Sequence, residues 1–352
     1  MKAVRLFPSA VLAILVTGLA CVPVGAWELG PQQLVESAGV VIDVGSYSVP
    51  SCVDWDNDGR PDLLVGTKET DSTGKVRLYL NSGTAAAPVF TSYVFLQAGG
   101  ADLDVGSSGC QGAFPRAADW NGDGRKDLLI GTALGSVRFY ANTGTDASPE
   151  FNADVGGLAY DLVEAGVPKV DIDVGDRAAL AVTNWDSDGS GIYDLVMGDG
   201  NGMVRYYYNA GYPDMPQLDP STFVQANGID IDIGVRSSPD VADLNGDGIL
   251  DLIVGVGDDG RIWQYLGTGT GGDGTPVLGP GVALQANGAD IDLDPRARPF
   301  ICDWTGDGFL DLLIGDSSGR VFLYQGVPEP ATLALLAAGG LALLRRKRGR
   351  NV

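Results

Sequence analysis

The chain has 352 residues, of which 45 are Asp or Glu and 23 are Lys or Arg, and it contains no histidine. Residues 27–330 hold every acid but only 16 of the bases, a balance that repels nucleic acid and anionic membrane and attracts cations. Without histidine, Ser-His and Cys-His nucleophile pairs and imidazole metal sites are excluded, and an apolar content of 45% excludes a disordered acidic tail.

Residues 1–26 begin with Lys2 and Arg5, run through an apolar stretch from Val11 to Ala20, and end on Val24-Gly25-Ala26. This order predicts a secretory signal helix, with the mature chain starting near Trp27. Cys21 offers an alternative as a lipid-modified cysteine, although Gly18 stands where such signals carry Leu.

From Asp54 an acid-rich cluster recurs as DWDNDGRPD (54–62), DWNGDGRKD (119–127), NWDSDGSGIYD (184–194), DLNGDGILD (243–251) and DWTGDGFLD (303–311). The starts lie 65, 65, 59 and 60 residues apart, a period that marks stacked supersecondary units. Ahead of the cluster stands a short strand candidate, often after Pro (50–53, 115–118, 239–242, 299–302). Behind it come an apolar run such as DLLVG and an alternating strand (75–81, 136–142, 203–209, 261–267, 320–326). A Gly-flanked segment closes the unit, as in ADLDVG (101–106), DIDVG (171–175), DIDIG (230–234) and DIDLD (290–294). Four strands per unit predict an all-β fold within a 27–326 domain: a five-bladed β-propeller of four-stranded blades. The first copy of the closing segment, VVIDVG (40–45), precedes the first cluster, and none follows the fifth. Residues near 34–45 are therefore expected to close the ring beside 320–326 and cover a sheet edge.

Within the clusters the spacing is D-x-[D/N/T]-x-D-G-x-x-D. Oxygen donors fall at positions 1, 3, 5 and 9 with a glycine at 6, which is how a Ca²⁺ loop is built. Asp-Gly turns alone would explain one copy. Five copies with carboxylates at 5 and 9 point to a cation, because uncompensated neighbours repel. Thr305 at position 3 weakens the fifth loop, and Asn184 at position 1 with two extra residues before Asp194 distorts the third. The clusters followed by D-L-[LIV]-[LIVM]-G resemble FG-GAP/VCBS repeats, calcium-loop propeller repeats, over all five units. That resemblance implies Ca²⁺ ligands at Asp54, Asp56, Asp58 and Asp62; at Asp119, Asn121, Asp123 and Asp127; and at Asp243, Asn245, Asp247 and Asp251. In the fifth loop it implies Asp303, Asp307 and Asp311, and in the irregular third Asp186, Asp188 and Asp194.

Trp55, Trp120, Trp185 and Trp304 share loop position 2, where Leu244 stands in the fourth unit, so packing between units is preferred over sugar stacking. Arg177, Arg236 and Arg296 each lie seven residues before their loop, at one mouth of the expected channel. They either pair with Asp173, Asp232 and Asp292 or hold a carboxylated or sulfated sugar. Cys52 and Cys302 occupy nearly corresponding positions in units one and five, but an offset of one residue directs them to opposite faces; Cys110 sits in an insertion of unit two.

The chain ends on Pro328-Glu329-Pro330, an apolar span of 14 residues (331–344) and five bases in six positions. This span is short for a bilayer, and its basic flank is that of a stop-transfer segment, a transient membrane anchor formed by a hydrophobic helix. The three parts in order resemble the bacterial PEP-CTERM sorting signal, which implies an exosortase-type partner for residues 327–352. The expected function is a non-enzymatic scaffold at the cell surface or in the extracellular matrix, binding a polysaccharide or a surface protein. A secreted glycosidase or lyase, and a purely structural matrix protein, are the alternatives; no contact with nucleic acid is expected.

Overall fold

Apolar runs of about five residues separated by Gly-, Asn- and Asp-bearing turns favour short antiparallel strands over helices. The computed structural model describes residues 27–328 apart from 70–72, 107–111, 152–158, 162, 165–169 and 213–214. Every regular element among the described residues is a β-strand. The helices expected over 1–26 and 331–344 lie outside them, and no described helix is long and apolar enough to cross a membrane.

Five four-stranded antiparallel sheets follow the repeat. The first contains Val49–Val53, Asp62–Lys68, Gly74–Tyr79 and Val94–Phe95, in that order. The second contains Phe114–Ala118, Asp127–Gly131, Val137–Tyr140 and Ala159–Asp161. In the third the strands are Ala179–Thr183, Asp194–Gly198, Val204–Tyr207 and Thr222–Phe223. The fourth has Ser238–Ala242, Asp251–Gly255, Ile262–Tyr265 and Val282–Ala283. In the fifth, Arg298–Cys302, Asp311–Gly315 and Val321–Tyr324 take their outer neighbour, Gln33–Leu34, from the start of the described chain. There Gln33 stands opposite Leu323 and Leu34 opposite Phe322.

The first strands of successive sheets lie side by side, and the first strand of sheet five lies beside that of sheet one. Five apolar clusters sit one in each gap between sheets. The cluster of Val44, Leu63, Val65, Trp304 and Leu313 joins sheets five and one. The glycine that ends each D-L-x-x-G run is needed for this approach. An added Cβ would lie 2.1 Å from the Ala113 carbonyl oxygen at Gly66, 1.7 Å from that of Ala178 at Gly131, and 2.2 Å from that of Ser48 at Gly315. Any side chain at these positions forces the next sheet away.

The outer strand lies upstream of the Gly-flanked segment to which the sequence pointed. That segment instead folds back as a two-residue hairpin: Gln225–Ala226 on Ile229–Asp230, and Gln285–Ala286 on Ala289–Asp290. The turns between them are Asn227-Gly228 (φ 51° and 74°) and Asn287-Gly288 (φ 50° and 78°), the left-handed pair that a tight Asn-Gly hairpin requires.

Candidate metal centres

Each acid-rich segment connects the first two strands of its sheet. Its final aspartate faces the residue just before the loop: Asp62 opposite Val53, Asp127 opposite Ala118, Asp194 opposite Thr183, Asp251 opposite Ala242 and Asp311 opposite Cys302. This register divides the acids into two groups. Positions 1, 3 and 5 lie in the loop at the sheet end, whereas position 9 begins a buried strand.

Loops one, two, four and five share one geometry. Asp54 accepts the backbone N–H of Asp58 at 3.0 Å and of Gly59 at 2.9 Å. Asp119 accepts those of Asp123 and Gly124 (3.0 and 2.9 Å), Asp243 those of Asp247 and Gly248 (3.1 and 2.8 Å), and Asp303 those of Asp307 and Gly308 (3.0 and 3.0 Å). The glycine has φ between 83° and 87° in all four, which a side chain would strain. Position 5 then accepts from position 7: Asp58 from Arg60 at 3.0 Å and Asp247 from Ile249 at 2.8 Å.

In loop one the side-chain oxygens of Asp54, Asp56 and Asp58 come within 4.8 Å of one another. Asp56 Oδ1 is buried there without a hydrogen-bond partner. A buried, unsatisfied carboxylate oxygen beside two further carboxylates is costly unless a cation lies among them. The donor set is all oxygen, as a hard divalent ion requires. In loops two and four the position-3 residues, Asn121 and Asn245, accept the position-5 N–H at 3.0 Å each. Thr305 Oγ1, in loop five, is buried without a hydrogen-bond partner.

Position 9 does a different job. Asp62 accepts Trp55 N–H (2.8 Å) on one oxygen and Asn81 N–H (2.7 Å) on the other. Asp127 does the same with Trp120 and Asn142, Asp194 with Trp185 and Asn209, Asp251 with Leu244 and Gly267, and Asp311 with Thr305 and Gly326. Each therefore clips the loop to the end of the third strand. Burial pushes Asp62, Asp127, Asp194 and Asp251 up to about 6 and raises Asp311.

Loop three departs from this pattern. Asn184 donates to Asp188 at 3.4 Å, Ser190 N–H donates to Asp188 at 2.8 Å, and Asp186 is only 7% exposed. The position-2 residues, Trp55, Trp120, Trp185, Leu244 and Trp304, are all buried, each in a different gap between sheets.

Arg177, Arg236 and Arg296 hold the same place before the first strands of sheets three, four and five, each with positive φ (56°, 56° and 78°). Arg177 is buried, and the Arg296 guanidinium lies 4.7 Å from the centre of the Tyr47 ring, Tyr47 being the corresponding residue before sheet one. Among the described residues no ion pair joins Arg236 to Asp232 or Arg296 to Asp292.

Deeper among the first strands are two charges that the repeat pattern did not reveal. Arg116 and Asp240 are both buried, come from sheets two and four, and occupy one repeat position, three residues before their loops. Asp240 accepts Ile301 N–H at 2.6 Å and is pushed up to about 6 by burial, with Arg116 opposing the shift. Arg116 stacks on Phe300 at 4.8 Å. Only the superposition of repeats on a common axis could have found this pair. Cys52 and Cys302, expected on opposite faces, instead pack against the same apolar cluster between sheets five and one, and burial followed by Cys52 pushes the Cys302 thiol well up. First strands of adjacent sheets form no ladder, so face parity within each sheet does not decide who meets across the gap. Cys110 lies outside the described residues.

Residues 54–130 match the family model of an FG-GAP-like repeat, and residues 326–348 match the PEP-CTERM protein-sorting motif. The chain is similar to integrin alpha-4 of Xenopus laevis, 28% identical over 211 residues, covering 55% of this chain and 18% of that protein. It thus spans about a fifth of the length of that curated relative. Among solved structures it is similar to the GH43_1 enzyme from Xanthomonas citri complexed with xylose (15% identity, TM-score 0.49, covering 83% of this chain and 90% of that one). It is also similar to the Photorhabdus luminescens Tc holotoxin pore (16% identity, TM-score 0.37, covering 86% and 15%). An FG-GAP-like repeat followed by a PEP-CTERM protein-sorting motif suggests an exported, surface-associated repeat protein, and the sorting motif implies recognition by an exosortase-type system.

Proposed function

We propose that the chain is a calcium-stabilised, five-bladed β-propeller over 27–326, closed by its N-terminal strand and serving as a non-enzymatic binding scaffold at the cell surface or in the extracellular matrix. Residues 1–26 direct export, and residues 327–352 hold the chain transiently at the membrane until an exosortase-type enzyme processes it. The observation that carries the calcium reading is the convergence of Asp54, Asp56 and Asp58 around a buried, unbonded oxygen. The same loop geometry extends the reading to Asp119, Asn121 and Asp123; to Asp243, Asn245 and Asp247; and to Asp303 and Asp307. Behind them Asp62, Asp127, Asp251 and Asp311 fix the loop and add negative charge. The ion's contribution is to neutralise the loops so that adjoining strands pair without mutual repulsion.

The direct test is calcium titration of the chelator-treated chain by calorimetry, with thermal unfolding recorded in parallel. Binding at Kd of roughly 10⁻⁴ to 10⁻³ M, with a rise in melting midpoint, is expected. A midpoint indifferent to calcium and chelator would remove the metal from the reading.

A further inference from the structure

A cleft of about 730 Å³ opens beside loop three, between the third and outer strands of sheet three and the hairpin Gly267–Thr270/Pro276–Leu278 of the next unit. Its counterpart at sheet one is smaller, about 340 Å³. The two clefts differ in their aromatic lining, in a lost arginine and in the length of the facing corner. Tyr206 and Tyr208 stand where sheet one has Leu78 and Leu80. Ser190 stands where units one and two carry Arg60 and Arg125, whose Nε atoms reach across the strand end to Asn81 O and Asn142 O at 2.8 Å each. The facing corner is two residues longer than the corresponding 81–90 and 142–151 segments. At loop one that corner is fastened by Asn57 donating to Asp146 (2.6 Å) and by the Lys126–Asp146 ion pair. At loop three it rests on glycine: an added Cβ at Gly274 would lie 2.4 Å from the Asp186 carbonyl oxygen.

The opened space has a defined chemistry. Its floor is the buried Trp185, set 6.3 Å from the Tyr206 ring. Tyr208 lines it with 39% of its surface exposed, while the Phe223 ring at the rim is taken by the Arg205 guanidinium at 4.7 Å. Asp186, Asp219 and Asp273 supply carboxylates, and the lining contains no Lys or Arg. Asp186 is more than nine-tenths buried, and its Oδ1 accepts only a 3.3 Å bond from Asp188 N–H. Tyr faces beside carboxylates, with no cation in the lining, suit a ring that offers C–H on one side and O–H or N–H donors around its edge. An acidic ligand would instead meet three like charges.

We propose that this cleft binds a non-acidic saccharide, stacked on Tyr206 and Tyr208 and donating hydroxyl or amino hydrogens to Asp186, Asp219 and Asp273. The inference rests on the reading of the chain as an exported binding scaffold and gives that scaffold a ligand class and a place. It also explains why the third loop abandons the regular spacing: Asp186 turns to the cleft, and the arginine that would fill it is gone.

The test uses the full-length chain in affinity gels containing dextran, mannan or laminarin as neutral probes, chitosan oligomers as the amino probe, and hyaluronan as the acidic probe. Retention by at least one neutral or amino probe is expected, weakened at least tenfold in a Tyr208→Ala/Asp273→Asn variant. Both side chains are exposed, so the variant should melt within a degree or two of the parent. Retention by hyaluronan alone, by no probe, or unchanged in the variant would overturn the proposal. Chelator-sensitive melting without glycan retention removes the cleft reading alone. Variant-sensitive retention with chelator-indifferent melting removes the calcium reading alone.

Discussion

Replacing Asp243 by Ala separates the two jobs of a loop aspartate. Without calcium the variant loses two hydrogen bonds, from Asp247 N–H at 3.1 Å and Gly248 N–H at 2.8 Å. At a half-exposed site each is worth about 1 kcal/mol, so a deficit of about 2 kcal/mol is expected in chelator. With 5 mM calcium and a Kd of roughly 10⁻⁴ to 10⁻³ M, the parent gains a further ~1–2 kcal/mol from this loop, and the variant does not. At about 2 °C per kcal/mol for a domain of this size, the melting deficit should grow from about 4 °C in chelator to about 6–8 °C in calcium. Circular dichroism melts of both proteins in both buffers measure it. Asn184→Ala is the control: it removes a single 3.4 Å bond in the irregular loop and should cost the same small amount with or without calcium. Equal Asp243→Ala deficits in the two buffers would refute the assignment of an ion to this loop.

Three other outcomes follow from the same geometry. Asp127→Ala strands three backbone donors, the N–H groups of Trp120, Asn121 and Asn142, and should cost about 2–5 kcal/mol by urea unfolding; Asp127→Asn, which keeps one acceptor, should cost about half that. Asp240, pushed up to about 6 from 3.8, favours the folded state only while protonated, so its contribution is lost as pH rises from about 4 to about 6. Relative to Asp240→Asn, the parent should therefore lose roughly 2 kcal/mol between pH 4 and 7, and a pH-independent difference would contradict the burial of that carboxyl. Because the Cys302 thiol is held protonated by burial and by Cys52, iodoacetamide at pH 8 should label it slowly in native buffer and at once in urea, as peptide mass mapping will reveal.

The repeat and its loops were legible because their signal is local. Asp, Asn and Gly at fixed spacing specify a turn wherever they occur, and five copies supply the period. The outer strand was misplaced because Asn227-Gly228 and Asn287-Gly288 reverse the chain within two residues, and two-residue strands such as Thr222–Phe223 carry too little pattern to announce themselves. The clipping role of Asp62 and its equivalents was also hidden. Spacing puts an oxygen at position 9, but only the register shows both oxygens turned to backbone N–H groups. Arg116 and Asp240, and the cleft shared by Tyr208 and Asp273, depend on neighbours one or two units away, which no single window of sequence contains.

The first and last described residues are laced together: Gly30 N–H to Gln325 O at 2.8 Å, Val327 N–H to Glu28 O at 3.0 Å, and Trp27 Nε1 to Leu310 O at 2.7 Å. Leu310 belongs to loop five, so the chain leaves the body on the side where that loop lies. A tug on residue 327 is resisted along a zipper of antiparallel backbone bonds before any sheet can peel. A protein tethered by that end would hold its fifth acid-rich bend toward the tether and the Tyr47 and Arg296 side away from it.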